Sequence, residues 1–259
     1  MAMIGQGRGR RKESRMELPA PIAALADRLA GMPGAVAVVL GGSRGTGAQD
    51  ARSDWDLGVY YRGRLDTAAL AELGEVHPPG QWGRIMNGGA WLDIGGEKVD
   101  VLFRDLDVVH GWCTKADQGE YDVDALLGYL AGVPTYSLRA ELVTCRTLRG
   151  SVDRPEGFPA ALSREGQRRW RFHRDFTLHH AHMRADRGDA VGAAGQVAKA
   201  AVEAAHAALC AAGIWVLNEK RILERAGLQR VHELFAAIPQ DAPGLRAWVE
   251  RVEVQLKAV

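Results

Sequence analysis

The chain is short of the features that would settle its class at a glance. It has 3 cysteines in 259 residues, Cys113, Cys145 and Cys210, far apart and without a CxxC pair. That spacing argues against a disulfide framework or a zinc ribbon and suits a reducing cytoplasm. Apolar stretches such as Ala35 to Leu40 and Ala204 to Ala212 fall well short of the roughly 20 residues that span a bilayer, so no membrane partner is expected. Charge of one sign is missing too: Lys+Arg 33 against Asp+Glu 32 gives a formal +1, not the basic balance of a duplex-DNA binder. Neither GxGxxG nor GxxxxGK[ST] nor HExxH occurs, which removes the Rossmann, P-loop and zincin readings.

What is present is an ordinary globular composition, 47% hydrophobic and 25% charged, enough for one large domain or two modest ones. Two are expected after a tail. Residues 1 to 18 carry five basic groups among Gly, Gln and Ser with no apolar run behind them, and are predicted to be a disordered basic tail. Residues 19 to 150 mix helix and strand signals. A helix is expected from Pro19 to Ala30, a buried strand over Ala35 to Leu40 and a second over Asp56 to Tyr61. A short helix follows over Asp66 to Leu73, then a hairpin of Ala90 to Ile94 and Lys98 to Phe103. Helices are expected at Asp107 to Lys115, Val123 to Leu130 and Ser137 to Thr147. Residues 151 to 259 read as a helical domain: Arg164 to Arg187, Ala190 to Ala212, Glu219 to Ala226, His232 to Ala237 and Pro243 to Lys257.

Chemistry concentrates in Leu40-Gly41-Gly42-Ser43-Arg44-Gly45-Thr46-Gly47 and in Ser53-Asp54-Trp55-Asp56-Leu57. Carboxylates at i and i+2 of a strand project from one face, so Asp54 and Asp56 are paired metal-ligand candidates, and an oxygen-only set favours Mg²⁺. Gly42 and Ser43 end a strand where exposed N–H groups and missing Cβ atoms let a phosphate approach. Asp100, set between Val99 and Val101, is the third carboxylate, because an acid inside an apolar strand requires a reason. Asp93, Asp105 and Asp107 lie at turns or helix starts, where carboxylates cap backbone N–H groups.

In these elements the chain resembles the DNA polymerase β-type nucleotidyltransferases: an apolar-Gly-Gly-Ser element, a spaced Asp-x-Asp and a later Asp in a strand. The resemblance covers about residues 20 to 150 and extends to stand-alone bacterial members similar to aminoglycoside nucleotidyltransferases. It implies an α+β fold, a mixed-sheet catalytic domain followed by a C-terminal helical domain. It also implies transfer of a nucleoside monophosphate from a nucleoside triphosphate, ATP first among candidates, to a hydroxyl of a small molecule or protein. Two Mg²⁺ ions would be held by Asp54, Asp56 and Asp100. Gly42 and Ser43 would grip the β- and γ-phosphates, with Arg44 or Arg52 assisting.

The helical half adds two readings. Lys220 follows Asn218, a helix-capping residue type, and a lysine in a first helical turn is unfavourable unless an anion is bound, which makes it a phosphate contact. Lys199, in the apolar stretch Val197 to Leu209, is expected to snorkel to solvent. The basic run Arg164 to Arg174 with His179, His180 and His182 is read for the most part as a solvated face whose histidines lie near Asp175 and Asp186. Were it a phosphate track, the chain would instead add nucleotides to RNA ends. A third reading is an antitoxin-like or nucleotide-sensing partner protein. The near-zero net charge conceals opposites: +3 for residues 1 to 18, −5 for 19 to 150 and +3 for 151 to 259.

Overall fold

The computed structural model describes residues 18–47 and 53–259. The expectations for the basic tail and for Arg52 lie outside the described residues.

The first helix, α1 (Ala20–Ala30), starts with a proline in its first turn and ends at Gly31. Ile22, Leu25, Ala26 and Leu29 recur at helical spacing, and all four are buried. They press on a six-stranded sheet built from β1 (Ala35–Leu40), β2 (Trp55–Tyr61), β3 (Gly74–His77), β4 (Gly88–Ile94), β5 (Glu97–Asp105) and β8 (Arg146–Gly150). The spatial order is β3-β4-β5-β2-β1-β8, with β2 and β5 parallel and every other neighbour antiparallel. This is the expected mixed sheet. One face carries Val38, Leu40, Leu57, Val59, Val101 and Phe103 against α1. The other carries Ala37, Val39 and Tyr60, covered by α4 (Leu106–Asp117) and α5 (Ser137–Thr144). The strict alternation between faces is the period-2 geometry of a strand.

The hairpin β4–β5 turns on Gly95 and Gly96, with φ of 67° and 88°, a left-handed pair that glycine adopts without cost. Several expectations are corrected. Of the helix at Asp66 to Leu73 only a 3₁₀ turn, Ala68–Leu70, forms, and the chain passes into edge strand β3. In place of a helix at Val123 to Leu130 the chain makes the short strand β6 (Val123–Asp124), paired with β7 (Val133–Pro134). There Asp122 and Asp124 both meet the Arg84 guanidinium at 3.0 Å, which favours extended backbone because i and i+2 then share a side. Arg84 itself lies on the short helix α3 (Gly83–Met86). The helix expected to run to Thr147 ends at Thr144, and Arg146 to Gly150 pair with β1.

From Ala160 onward the described structure is helical. The long antiparallel pair α6 (Ala160–Asp186) and α7 (Ala190–Ala211) is capped at its turn by Asp189, whose Oδ1 accepts from Gly192 N at 2.8 Å. Two short helices, α8 (Ile222–Arg225) and α9 (Arg230–Leu234), lead to α10 (Ala242–Lys257), whose Leu245, Trp248, Val249, Val252 and Leu256 complete a core with α7. No helix among the described residues is long and apolar enough to cross a membrane. The helices lock onto the sheet half through Trp170, whose Nε1 donates to Tyr136 Oη at 3.0 Å, and through Glu219, described below.

Candidate functional site

β1 ends at Leu40, and the backbone then turns through Gly41 into the single-turn helix α2 (Gly42–Thr46). Gly41 N donates to Asp56 O at 2.8 Å, which pins this turn to β2. Gly42 has φ 55°, and a Cβ built on it would lie 1.7 Å from Asp56 Oδ2. Both the backbone angle and the carboxylate therefore require glycine. At Gly45 the constraint is space alone, since a Cβ would stand 2.7 Å from Leu40 O. The Ser43 hydroxyl has no partner among the described residues.

Asp56 and Asp100 are register partners in the parallel pair β2–β5, so their side chains stand side by side on one sheet face. Both are half-buried, while Asp54, at the entry to β2, is exposed. Burial pushes the Asp56 carboxyl above the ordinary range, the charges of Asp100 and Asp54 push it further, and Lys220 and Arg44 pull it back. Asp100 is raised by burial and by Asp54, and lowered by Lys220 and Lys98. The structure thus brings Asp54, Asp56, Asp100 and Lys220 together from three segments of the chain.

Neither Asp56 nor Asp100 accepts a side-chain hydrogen bond among the described residues, so their oxygens are free toward a ligand. Crowded, unbridged carboxylates are the donor set a hard divalent cation favours, and magnesium habitually adds waters and substrate phosphates to one or two carboxylates. Among the described residues no three or more His, Cys, Asp or Glu are grouped so as to hold a metal ion, so Asp54, Asp56 and Asp100 do not form a ready-made cluster.

Arg44 is placed differently from its expected role at phosphate. Its Nε and Nη2 donate to Ser53 O at 3.1 and 2.7 Å, Nε also reaches Asp54 O at 3.2 Å, and its Cζ lies 4.2 Å from the Trp55 ring centroid. The guanidinium fastens α2 to the entry of β2. Lys220 is also reached by another route than helix capping. Asn218 Oδ1 accepts from Lys220 N at 3.0 Å within a loop, and α8 begins only at Ile222, after Arg221 in the left-handed region.

The loop is held by a residue that sequence reasoning passed over. Glu219 accepts from the amides of Leu130 and Ala131, both at 2.8 Å. No motif marks such a contact, which spans 88 or 89 positions. Leu217 and Asn218 then line one cavity with Gly42, Asp56 and Asp100. Arg104 and Glu141 were missed as well. The buried guanidinium meets the carboxylate through two bonds of 2.7 and 2.8 Å, directly below the acids on the same face.

Of the rival acids, Asp93 and Asp105 accept backbone N–H groups as expected, and Asp107 does not. Asp93 Oδ1 accepts from Gly96 N, Asp105 caps α4, and Asp107 pairs with Arg62. Along α6, Arg168 pairs with Glu165, Arg169 lies over the Tyr121 ring, Arg171 donates to Val259 O and Arg174 to Leu256 O. Of the histidines, His182 pairs with Glu253, whereas Asp175 and Asp186 are taken by Arg174 and Arg246. Lys199, expected to snorkel to solvent, is part-exposed and pairs at 3.8 Å with the buried Glu203. A separate cavity of about 540 Å³ between α4 and α6 contains none of the candidate acids.

No family model matches the chain, and no curated protein does. Among solved structures, a nucleotidyltransferase-like protein from Exiguobacterium sibiricum is similar over 92% of this chain and 74% of its own, at 11% identity and a TM-score of 0.44. An aminoglycoside 6-adenyltransferase from Bacillus subtilis is similar over 93% and 91%, at 9% identity and a TM-score of 0.27. Likenesses this distant decide nothing about chemistry, which has to come from the site.

Proposed function

We propose that the chain is a nucleotidyltransferase. It moves a nucleoside monophosphate from a nucleoside triphosphate, ATP first among candidates, to an acceptor hydroxyl, and pyrophosphate leaves. The observation that carries this reading is the register pair Asp56 and Asp100 beside the Gly42 turn, with Lys220 brought near both acids from the helical half.

Asp54, Asp56 and Asp100 would hold two Mg²⁺ ions. Bound there, magnesium supplies a lowered pKa for the acceptor hydroxyl and neutralised charge on the triphosphate. The Gly42 amide and the Ser43 hydroxyl bind the β- and γ-phosphates, while the absent Cβ at residue 42 makes room for the Asp56 carboxylate beside them. Lys220 adds its charge on the triphosphate side, and Arg44 positions Asp54 through the two carbonyls it grips. A small-molecule acceptor is favoured over an RNA end, because Arg168, Arg169, Arg171 and Arg174 of the basic run on α6 have partners within the protein. All three cysteines are buried free thiols, which supports a reducing compartment such as the cytoplasm.

Calorimetric titration of the purified protein with Mg²⁺ and each of the four common nucleoside triphosphates tests the reading. At least one should bind, and Asp56→Asn and Asp100→Asn should abolish transfer of label to an acceptor panel. Absence of triphosphate binding in the presence of Mg²⁺ would sink it.

A further inference from the structure

Below the acid pair the same sheet face opens into a cavity of about 280 Å³. Asp56, Gly58 and Tyr60 of β2 line it, with Asp100, Leu102 and Arg104 beside them on β5. From Asp56 to Tyr60 is four residues, about 13 Å at the rise of an extended strand. The cavity therefore runs inward from the acids rather than along the surface.

Gly58 opens this space. It sits in the middle of a buried strand and has no positive φ, so the backbone does not call for glycine. A Cβ there would stand 3.0 Å from Val39 Cγ2 and 3.4 Å from the Tyr60 ring, on the cavity face. The missing side chain makes room for Val39 and Tyr60 and keeps the cavity face of β2 open to an occupant.

Two hydroxyls point to what that is. Tyr60 is 1% exposed and Ser137 3% exposed, both line the cavity, and neither has a hydrogen-bond partner among the described residues. Neither oxygen is among the sealed, unsatisfied polar atoms of the described residues, so both open onto the cavity as hydrogen-bonding groups that a ligand there can use. Burial holds the Tyr60 phenol well above its ordinary pKa, which keeps it a neutral donor. At the floor Arg104 and Glu141 cancel each other, and Val39, Met86 and Leu102 make apolar walls. The uncompensated charge on its lining is that of Asp56 and Asp100 at the mouth, so the inner end has nothing to offer an anion. Its volume lies at the small end of ligand pockets, room for one ring system.

We propose that this cavity binds a compact, uncharged ring whose polar atoms pair with the Tyr60 and Ser137 hydroxyls. Two sources share that chemistry, the base of the triphosphate and a ring of the hydroxyl acceptor. The assignment rests on the nucleotidyltransferase reading for what stands at the mouth, beside Asp56 and Asp100.

The test uses ligand-observed NMR on the full chain with adenine, uracil and phenol as uncharged rings, and benzoate as a charged one. At least one uncharged ring should bind, and benzoate should not. Gly58→Val should weaken binding at least tenfold by filling the cavity. Tyr60→Phe with Ser137→Ala should weaken it about five- to tenfold, the worth of one or two hydrogen bonds, and decides the matter if Gly58→Val does not fold. Displacement of the ring by Mg²⁺ and ATP identifies the base as the source, and simultaneous binding identifies the acceptor. Absence of binding by every uncharged ring, tighter binding by a charged ring, or binding that ignores these substitutions would overturn the proposal. Free rings need no triphosphate site, so a negative result here is separable from a negative titration with nucleotide.

Discussion

Asp56 and Gly42 are fitted to each other: the Asp56 carboxylate occupies the place where a side chain on residue 42 would begin, with Oδ2 1.7 Å from the ideal Cβ position. The φ of 55° at Gly42 adds a second, independent demand for glycine. Gly42→Ala should therefore lower stability by about 1 kcal/mol or more and displace the carboxylate it strikes. Urea denaturation and triphosphate titration check both effects. Adding Asp56→Ala to Gly42→Ala should recover part of the lost stability but none of the function, because the clash is relieved by removing the proposed ligand.

Asp56→Asn and Asp100→Asn should separate stability from activity. Both carboxyls have folded pKa values raised above the unfolded ones, by burial first and by neighbouring acids next. A raised carboxyl favours the folded state while protonated, and that contribution is lost as pH rises through the folded pKa. At neutral pH without divalent ions each Asn variant should melt above the parent protein, by roughly 2–4 °C for each kcal/mol relieved. Mg²⁺ should raise the melting temperature of the parent protein and leave that of the variants nearly unchanged. Activity should fall by at least about 100-fold, more than loss of an outer-shell partner costs.

Glu219 acts on the site only through the loop it ties down. Its carboxylate takes two backbone amides, and their loss in Glu219→Ala should cost about 1–3 kcal/mol and loosen the segment that carries Lys220. Triphosphate affinity should drop in Glu219→Ala and in Lys220→Met, and the double variant should be little worse than Lys220→Met alone. Such non-additivity identifies positioning through Lys220. Additive losses would mean that Glu219 supports the fold and nothing more.

His206, 1% exposed and stacked on Trp170 at 4.4 Å, supplies a pH dependence unrelated to the acids. Burial lowers its pKa from 6.5 to about 3. Between those values the unfolded chain binds a proton that the folded protein refuses, so this contribution to stability is intact above the unfolded pKa and lost as pH falls toward 3. His206→Gln should remove up to about 1.4 kcal/mol per pH unit from the slope of unfolding free energy across that window. Denaturation curves at a series of pH values from 4 to 7 read it directly.

Misreadings of the sequence share a cause with its successes. β1, α1 and the β4–β5 hairpin were legible because each is specified by its own residues: an apolar run, a helical period, a pair of glycines. Val123 to Leu130 has helical spacing but is drawn into extended form by Arg84, 38 to 40 positions away, which local pattern does not contain. β8 was read as the end of a helix because its partner is β1, more than a hundred residues earlier. Arg44 adjoins the Gly-Gly-Ser turn, which suggests a phosphate ligand; only the folded chain shows that its guanidinium also bonds the Ser53 and Asp54 carbonyls.

By itself the sequence determined which residues are the candidates for chemistry. Period-2 geometry fixes relations within a strand, and an acid between valines is unusual enough to name Asp100 without coordinates. Tertiary structure decided who meets whom. The parallel register sets Asp56 against Asp100, the Glu219 tether carries Lys220 toward them across the chain, and Gly58 leaves the space beneath in which Tyr60 and Ser137 stand unpaired. Each of those is a contact between distant segments, set by packing and backbone pairing rather than by any local preference, and therefore invisible until the chain is folded.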